Sequence, residues 1–404
     1  LAVESKGHQV IGTDINDSTL RNIRFKTLNY KEEGAEELLK KSKIQLKPLD
    51  KIVEESDIIF VPIQTPHEEK YEGITRIPEE RADFNYEFLI NGIKELNEEI
   101  EKQGKDKTVI IISTVLPGTI SRFIKPILGT HLKLCYNPFF IAMGTTINDF
   151  LNSEIILFGV DDEGASKKAE EFYKTINNTK FYKTTLENAE LIKVVYNTFI
   201  STKIAMMNTV METCHHLPNT NVDDVTEALA LCTDRIISKK YLYGGMGDGG
   251  GCHPRDNIAL SYLAQKLDLS YNWYDNIMKQ RENQTEWLAN LIIKHKGDKQ
   301  INILGKCFKP ETNIITGSPA ILLKNILEEK GETVRMWDPW VDNSDIMKVK
   351  DEYKWDKIPQ LFFIGCKHEV WKEFYFMPDS VVIDPFRYLE VHDNVKYIPI
   401  GKNT

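Results

Sequence analysis

A chain of 404 residues is long enough for two or three domains with ample core. Charged residues make up 27% and apolar residues 41%, as in ordinary globular proteins, and a formal net charge of -9 speaks against nucleic acid or an anionic membrane surface as partner. No apolar run approaches the roughly 20 residues that span a bilayer, no secretory pattern opens the chain, and six scattered cysteines without a Cys-x-x-Cys pair fit free thiols in a reducing compartment, so a cytoplasmic protein without metal is expected.

In chain order, residues 7–14 (Gly-His-Gln-Val-Ile-Gly-Thr-Asp) read as the second strand of a dinucleotide-binding unit, preceded by the tail of a helix. A carboxylate ending that strand holds ribose hydroxyls and repels a 2′-phosphate, so Asp14 points to NAD; a surface turn is the other reading. The first strand and the Gly-x-Gly-x-x-Gly turn do not precede it. An upstream segment of roughly 15–20 residues is expected to carry them, because a sheet without its central strand has unpaired edges in its middle.

Helical and strand patterns then alternate, with buried-looking runs at 57–63, 108–112, 132–136 and 154–160, which predicts a parallel sheet with helices on both faces. Ligands of such sheets bind beyond the carboxyl ends of the strands. The turns Gln64-Thr65-Pro66 and Ser113-Thr114-Val115-Leu116-Pro117-Gly118-Thr119 are placed there, so Thr65, Pro66, Ser113 and Thr114 are cofactor candidates or plain loop residues. Residues 67–83 are polar and read as an exposed loop insertion. The turn 137–144, Asn-Pro-Phe-Phe-Ile-Ala-Met-Gly, is apolar enough to predict that it is buried or lines a pocket.

A helix without Gly or Pro is predicted from about Leu186 to His216; some 30 residues at 1.5 Å each reach roughly 45 Å, enough to bridge two domains. Glu190, Lys193, Asn197 and Ser201 share one side of it. Either this stripe is solvated and the lysine snorkels, or it is buried among partners and Lys193 donates to an oxyanion or positions a reacting hydroxyl.

More helix leads to a stretch from Tyr241 to Asp256 with six glycines in eight positions directly before Cys252. Pro254 suits the first position of a helix, which places Cys252 just outside its N-terminus. The partial positive charge there attracts anions and suits a nucleophilic sulfur; the alternative is an ordinary packed cysteine. Helical patterns continue to residue 296. A second alternating unit follows, with strands at 301–304, 333–337, 361–364 and 381–383.

Taken together, these pieces resemble one family, the nucleotide-sugar 6-dehydrogenases typified by UDP-glucose and GDP-mannose dehydrogenases, over essentially the whole chain. Gly-Asp-Gly-Gly-Gly-Cys-His-Pro-Arg-Asp, ending at Asp256, resembles the family's Gly-Phe-Gly-Gly-Ser-Cys-Phe-Pro-Lys-Asp. Asn188-Ala189-Glu190-Leu191-Ile192-Lys193 with Asn197, the Ser113–Thr119 turn, Phe308-Lys309-Pro310-Glu311-Thr312 and Asp338-Pro339 are similar to further family motifs in order and spacing.

The resemblance implies an α/β fold of two Rossmann-like doubly wound domains joined by a long central helix and a helical middle. The expected divisions are 1–185 for NAD, 186–296 for dimerisation and the cysteine loop, and 297–404 for the nucleotide sugar. It implies a homodimer, a UDP-sugar ahead of a GDP-sugar, and a four-electron oxidation at C6 with two NAD in succession. Cys252 then captures the aldehyde as a thiohemiacetal that becomes a thioester. Lys193 and Asn197 stabilise the oxygen, Asp256 assists proton transfer, and Thr114 places a water or the nicotinamide. Gly249 and Gly250 close over the sugar, and Tyr241, Lys309 and Arg387 join the substrate side.

The chain also departs from the family. Where the family reads Asn-Pro-Glu-Phe, Phe139 replaces the carboxylate that activates water for thioester hydrolysis, so Glu190 or Asp256 would have to act through a water. Thr312-Asn313-Ile314-Ile315-Thr316 stands where the family has Thr-Asp-Asp-x-Arg, Gly244 replaces a proline, and His253 and Arg255 replace Phe and Lys. Phe139 leaves open an enzyme that stops at the aldehyde. With Thr316 it leaves open a silent nucleotide-sugar binder, against which the retained Cys252, Lys193, Asn197 and Asp256 argue.

Overall fold

A computed structural model describes residues 1–76, 78–216, 218–233, 238, 240–241, 243–247, 250–266, 268, 272–341, 346–347 and 358–402. Two compact units emerge: Leu1–Pro66 with Asp83–Tyr196, and His67–Ala82 with Asn197–Thr404.

The first unit begins with α1 (Ala2–Ser5), β1 (Ile11–Gly12), α2 (Asp17–Phe25), α3 (Ala35–Lys41), β2 (Gln45–Leu46) and α4 (Leu49–Glu55). β3 (Ile58–Val61), α5 (Glu87–Gln103), β4 (Lys107–Ile111), β5 (Leu132–Tyr136), α6 (Thr146–Leu151), β6 (Ile156–Val160), α7 (Glu163–Lys174) and β7 (Phe181–Thr184) follow. β1 and β2 pair in parallel as a sheet of their own, while the other five strands lie in the order β3-β4-β5-β6-β7. The all-parallel expectation fails at one place, since β5 and β6 are antiparallel. The connection between them contains only the six-residue α6 and re-enters the sheet from the end it left, instead of running back along a face.

Helices cover this sheet because their apolar residues recur every three or four positions. α5 buries Leu89, Ile93, Leu96 and Ile100, and α7 sets Ala165, Ala169 and Tyr173 against Ile110, Cys135, Ile156 and Phe158 of the strands. Each large apolar side chain so buried stabilises the unit by about 1.5–3 kcal/mol. The long helix α8 spans Leu186–His216, as the sequence predicts, and the division between the units falls within it after Tyr196.

The second unit holds α9 (Val222–Ala230), α10 (Cys252–Lys266), α11 (Trp273–Lys296), β8 (Ile301–Leu304), α12 (Pro319–Glu329) and β9 (Val334–Trp337), then β10 (Ile346–Met347), β11 (Leu361–Ile364), β12 (Val381–Asp384) and β13 (Lys396–Pro399). Its six strands pair in parallel in the order β10-β9-β8-β11-β12-β13. Numbered from β8, that is the doubly wound order 3-2-1-4-5-6 of a Rossmann sheet. β2, β7, β10 and β13 are strands that the sequence reading does not contain. Leu288 and Ile292 of α11 and Leu323 of α12 pack with Ile301, Ile303 and Phe363 in one continuous core.

Residues 67–82 are largely exposed, as expected, but they are anchored in the second unit, where Tyr71 is 1% exposed and packs with Ile258, Ile277 and Met278. Arg81 pairs with Asp275, and Arg281, itself buried, donates to Gly73 O at 2.6 Å. Of the segment's charges, Arg81 is thus partnered inside the unit, while Glu68, Glu69, Lys70, Glu72, Glu79 and Glu80 stay exposed.

In this segment, burial and the Arg255 charge pull the His67 imidazole down from its ordinary value to about 4. A depressed base stabilises the fold fully above its unfolded pKa and loses that contribution as pH falls from about 6.5 toward 4. Unfolding free energy in urea should therefore drop between pH 7 and pH 5 by about 2 kcal/mol more in the parent than in His67→Gln. An equal drop in both proteins would count against this assignment.

Candidate active site

In the first unit, the carboxyl ends of β3 and β4 bring Thr65, Ser113 and Thr114 together. Thr65 Oγ1 donates to Thr114 O at 2.6 Å, and Ser113 Oγ donates to Ile63 O at 2.6 Å. Both hydroxyl residues are buried, while Thr114 and Pro66 are half-buried. Asp14 lies two residues beyond β1, exposed, with Oδ1 accepting the Asn16 N–H at 2.8 Å. Asn16 in turn caps α2 through Ser18 N at 2.9 Å. An outward carboxylate and strand-end hydroxyls are groups that fit a dinucleotide.

The polar stripe of α8 is buried at Glu190, Asn197 and Ser201, so it is no solvated face at those positions. Glu190 accepts the Gly118 N–H and the Ile120 N–H, the latter at 2.8 Å, and so fastens the turn that follows Thr114. Burial pushes its carboxyl up to about 7, against the opposing pull of those two donors. With both oxygens accepting from backbone, Glu190 is held as a structural tie.

Lys193, half-buried, sets Nζ 5.5 Å from the centre of the Phe140 ring, which itself lies 4.7 Å from the Tyr196 ring. Phe139 packs instead with Phe150, at 5.3 Å, in the hydrophobic cluster of the sheet. The apolar turn is therefore buried only in part, for Ile141 and Met143 are 40% and 46% exposed.

In the second unit, α10 begins at Cys252, two residues earlier than Pro254 suggests, and the thiol is exposed at its first position. Asp256, one turn on, is fully buried; Asn197 Nδ2 donates to its Oδ2, and Arg255 Nε and Nη2 lie 3.3 Å from its Oδ1. Asn257 Nδ2 donates to Ser201 Oγ at 3.1 Å, and His253 Nδ1 lies 3.0 Å from the same oxygen. These bonds lock the first turn of α10 onto α8. Ser201 belongs to the stripe read from the sequence, while His253 is a part of the lock to which that reading gives no role, although its place beside Cys252 is the available signal.

The glycine stretch packs on loops of the C-terminal sheet. Gly250 has φ of 102°, and a Cβ there would fall 2.4 Å from the Phe308 ring, so both conformation and space demand glycine. Gly249 lies outside the described residues. Tyr241 is half-buried with φ of 65°, and Lys309 is half-buried. Arg387 is used within the protein: its guanidinium donates to Asp223 Oδ1 at 2.9 Å, Gly244 O at 2.9 Å and Ile400 O at 3.1 Å, with the side chain 4% exposed.

Cys307, Asp338 and His368, all buried, bring ligand-type atoms within 4.8 Å of one another. Glu311 N–H donates to His368 Nδ1 at 3.1 Å, which places the ring proton on Nε2, facing Asp338 Oδ2 at 3.3 Å. As they stand, the three groups form a hydrogen-bonded knot. Burial pushes the Asp338 carboxyl up, but His368 and the Lys306 and Trp340 N–H groups outweigh it and hold the group at about 2.

Comparison with known proteins matches residues 1–177 to the NAD binding domain of the UDP-glucose/GDP-mannose dehydrogenase family, and residues 187–283 to the central domain of the same family. The chain belongs to the UDP-glucose/GDP-mannose dehydrogenase family. It is 26% identical over 374 residues to the GDP-mannose 6-dehydrogenase of Pseudomonas aeruginosa, covering 89% of this chain and 82% of that one. It is likewise 26% identical over 416 residues to the UDP-glucose 6-dehydrogenase of Rickettsia conorii, covering 97% and 92%. The solved UDP-glucose dehydrogenase of Pyrobaculum islandicum shares the fold, with a TM-score of 0.84 at 22% identity over 99% of this chain and 94% of that one. This family member is an NAD-dependent nucleotide-sugar dehydrogenase. Among the described residues, no helix is long and apolar enough to cross a membrane.

Proposed function

We propose that this dehydrogenase oxidises the C6 alcohol of a nucleotide-activated hexose to the uronate, with Cys252 as nucleophile. The observation that carries the reading is the exposed thiol at the first position of α10, one turn before a buried Asp256 held by Asn197. NAD supplies the hydride acceptor in both oxidations. After the first, the Cys252 sulfur adds to the C6 aldehyde, and the C–S bond formed leaves a hydroxyl on carbon. Loss of the second hydride and of the hydroxyl proton makes the thioester, and water breaks the C–S bond to release carboxylate and thiol.

Lys193 and Asn197, one turn apart on α8, take the role of donors to the oxygen as charge develops, and Asp256 that of proton acceptor. Asp14, Thr65, Pro66, Ser113 and Thr114 are assigned to NAD. Tyr241, Gly249, Gly250 and Lys309 are assigned to the substrate, with Arg387 supporting Gly244 from behind. UDP is favoured as the nucleotide because relatives such as that of Rickettsia conorii are UDP-glucose 6-dehydrogenases. A homodimer in the cytoplasm completes the reading.

A second reading, an enzyme that stops at the aldehyde, draws on Phe139, whose ring lies against Phe150 where the family carries its hydrolytic carboxylate. Thiol alkylation tests the shared premise. Cys252 and Cys232 are exposed and the other four cysteines buried, so iodoacetamide should label these two first, and UDP-glucose should protect Cys252 alone. Equal labelling of all six would sink the proposal.

A further inference from the structure

The turn that carries Phe139 and Phe140 is held at both ends. At its start, Asn137 is 2% exposed and donates from Nδ2 to Leu157 O at 2.8 Å. At its far end the anchor comes from the connection between α2 and α3. There the Glu32 carboxylate accepts the Gly144 N–H at 2.8 Å, the Thr146 N–H at 2.6 Å and the Thr146 hydroxyl at 3.2 Å. Beside it, Glu33 N–H donates to Gly144 O at 3.3 Å. Asp149 also accepts the Ala142 N–H at 2.9 Å, but it sits on α6 and travels with the turn. Glu32 thus ties the turn to a segment more than a hundred residues away in sequence.

We propose that Glu32 is a positioning residue for Lys193, acting through Phe140; the inference rests on the role given to Lys193 above. Three donors converge on one ionised carboxylate, and such charge-assisted bonds are about twice as strong as neutral ones. They fix the backbone that bears the Phe140 ring, over which Lys193 Nζ stands at 5.5 Å. The ring face attracts the ammonium and holds it in one place. Without the tie, the Gly144 end of the turn loses its anchor and the ring beneath Lys193 shifts. Displacements of about 1 Å cost roughly 10²-fold in rate where a donor must meet developing charge.

The test uses the full chain with NAD and UDP-glucose or GDP-mannose, whichever is turned over, and in parallel the acetylation of Lys193 by acetic anhydride at pH 8, read by peptide mass spectrometry without substrate. Glu32→Ala should lower kcat about 10- to 100-fold while the KM for NAD stays within about threefold. Glu32→Gln, which keeps one acceptor oxygen, should recover part of the loss. Lys193 labelling should rise about threefold in Glu32→Ala and equally in Phe140→Leu, with no further rise in the double variant, as a shared cation–π contact requires. In a Lys193→Ala background, Glu32→Ala should add no further loss of kcat. An undiminished loss in that background, or unchanged labelling of Lys193 in Glu32→Ala, overturns the proposal. Full activity of Lys193→Ala by itself instead removes the reading of Lys193 on which it rests.

Discussion

Replacing Cys252 with serine should abolish uronate formation, lowering turnover by on the order of 10³-fold or more. A serine hydroxyl at the start of α10 has nearly the size of the thiol, but it is the weaker nucleophile and far harder to deprotonate. The adduct that must form before the second hydride leaves is therefore not held. The helix itself should survive, because Cys252 is exposed and the first turn is locked by Asn257, Ser201 and Asp256. The expected variant is folded and binds nucleotide sugar, and it makes at most one NADH per hexose. Retention of uronate synthesis at more than a few per cent would remove Cys252 from the mechanism.

Asp256→Asn should lower kcat by roughly 10²–10⁴-fold, the usual contribution of a positioned proton acceptor. Asparagine keeps an oxygen for Asn197 Nδ2 and preserves the volume of a fully buried site, so the substitution separates charge from packing. It also leaves Arg255, whose Nε and Nη2 lie 3.3 Å from Asp256 Oδ1, without its carboxylate. A loss of about 1–3 kcal/mol in stability should accompany the loss of rate. Calorimetry and kinetics on the same preparation check the pair. A destabilised variant with full kcat would mean that Asp256 only braces α10, and a variant unchanged in both would remove both roles.

Much of this architecture is legible in the sequence because its signals are local. The bounds of α8 follow from an uninterrupted helical pattern, and β5, β8 and β11 from short apolar runs. Cys252 announces itself by the glycines before it and the helix after it. What stays hidden depends on partners distant in sequence. That residues 67–82 are anchored in the second unit shows only once Asp275 pairs with Arg81 and Arg281 donates to Gly73 O, and the antiparallel β6 follows from where its connection re-enters the sheet. Strands β10 and β13 are the edges of their sheet; β10 has only two residues, and β13, Lys-Tyr-Ile-Pro, lacks the continuous apolar run that marks β11. Phe139 is visible as a departure, but its packing on Phe150 and the cation over Phe140 are matters of three-dimensional neighbours. Glu190 looks from its spacing like a candidate for activating water, yet its two oxygens are occupied by backbone N–H groups.

The central claim, a four-electron oxidation by a chain with phenylalanine at position 139, is tested most directly by counting. Protein incubated with NAD and a panel of UDP- and GDP-hexoses is assayed for NADH formed per hexose consumed, with the product identified by mass spectrometry. Two NADH and a uronate are expected for at least one nucleotide sugar. One NADH and an accumulating aldehyde would contradict that claim.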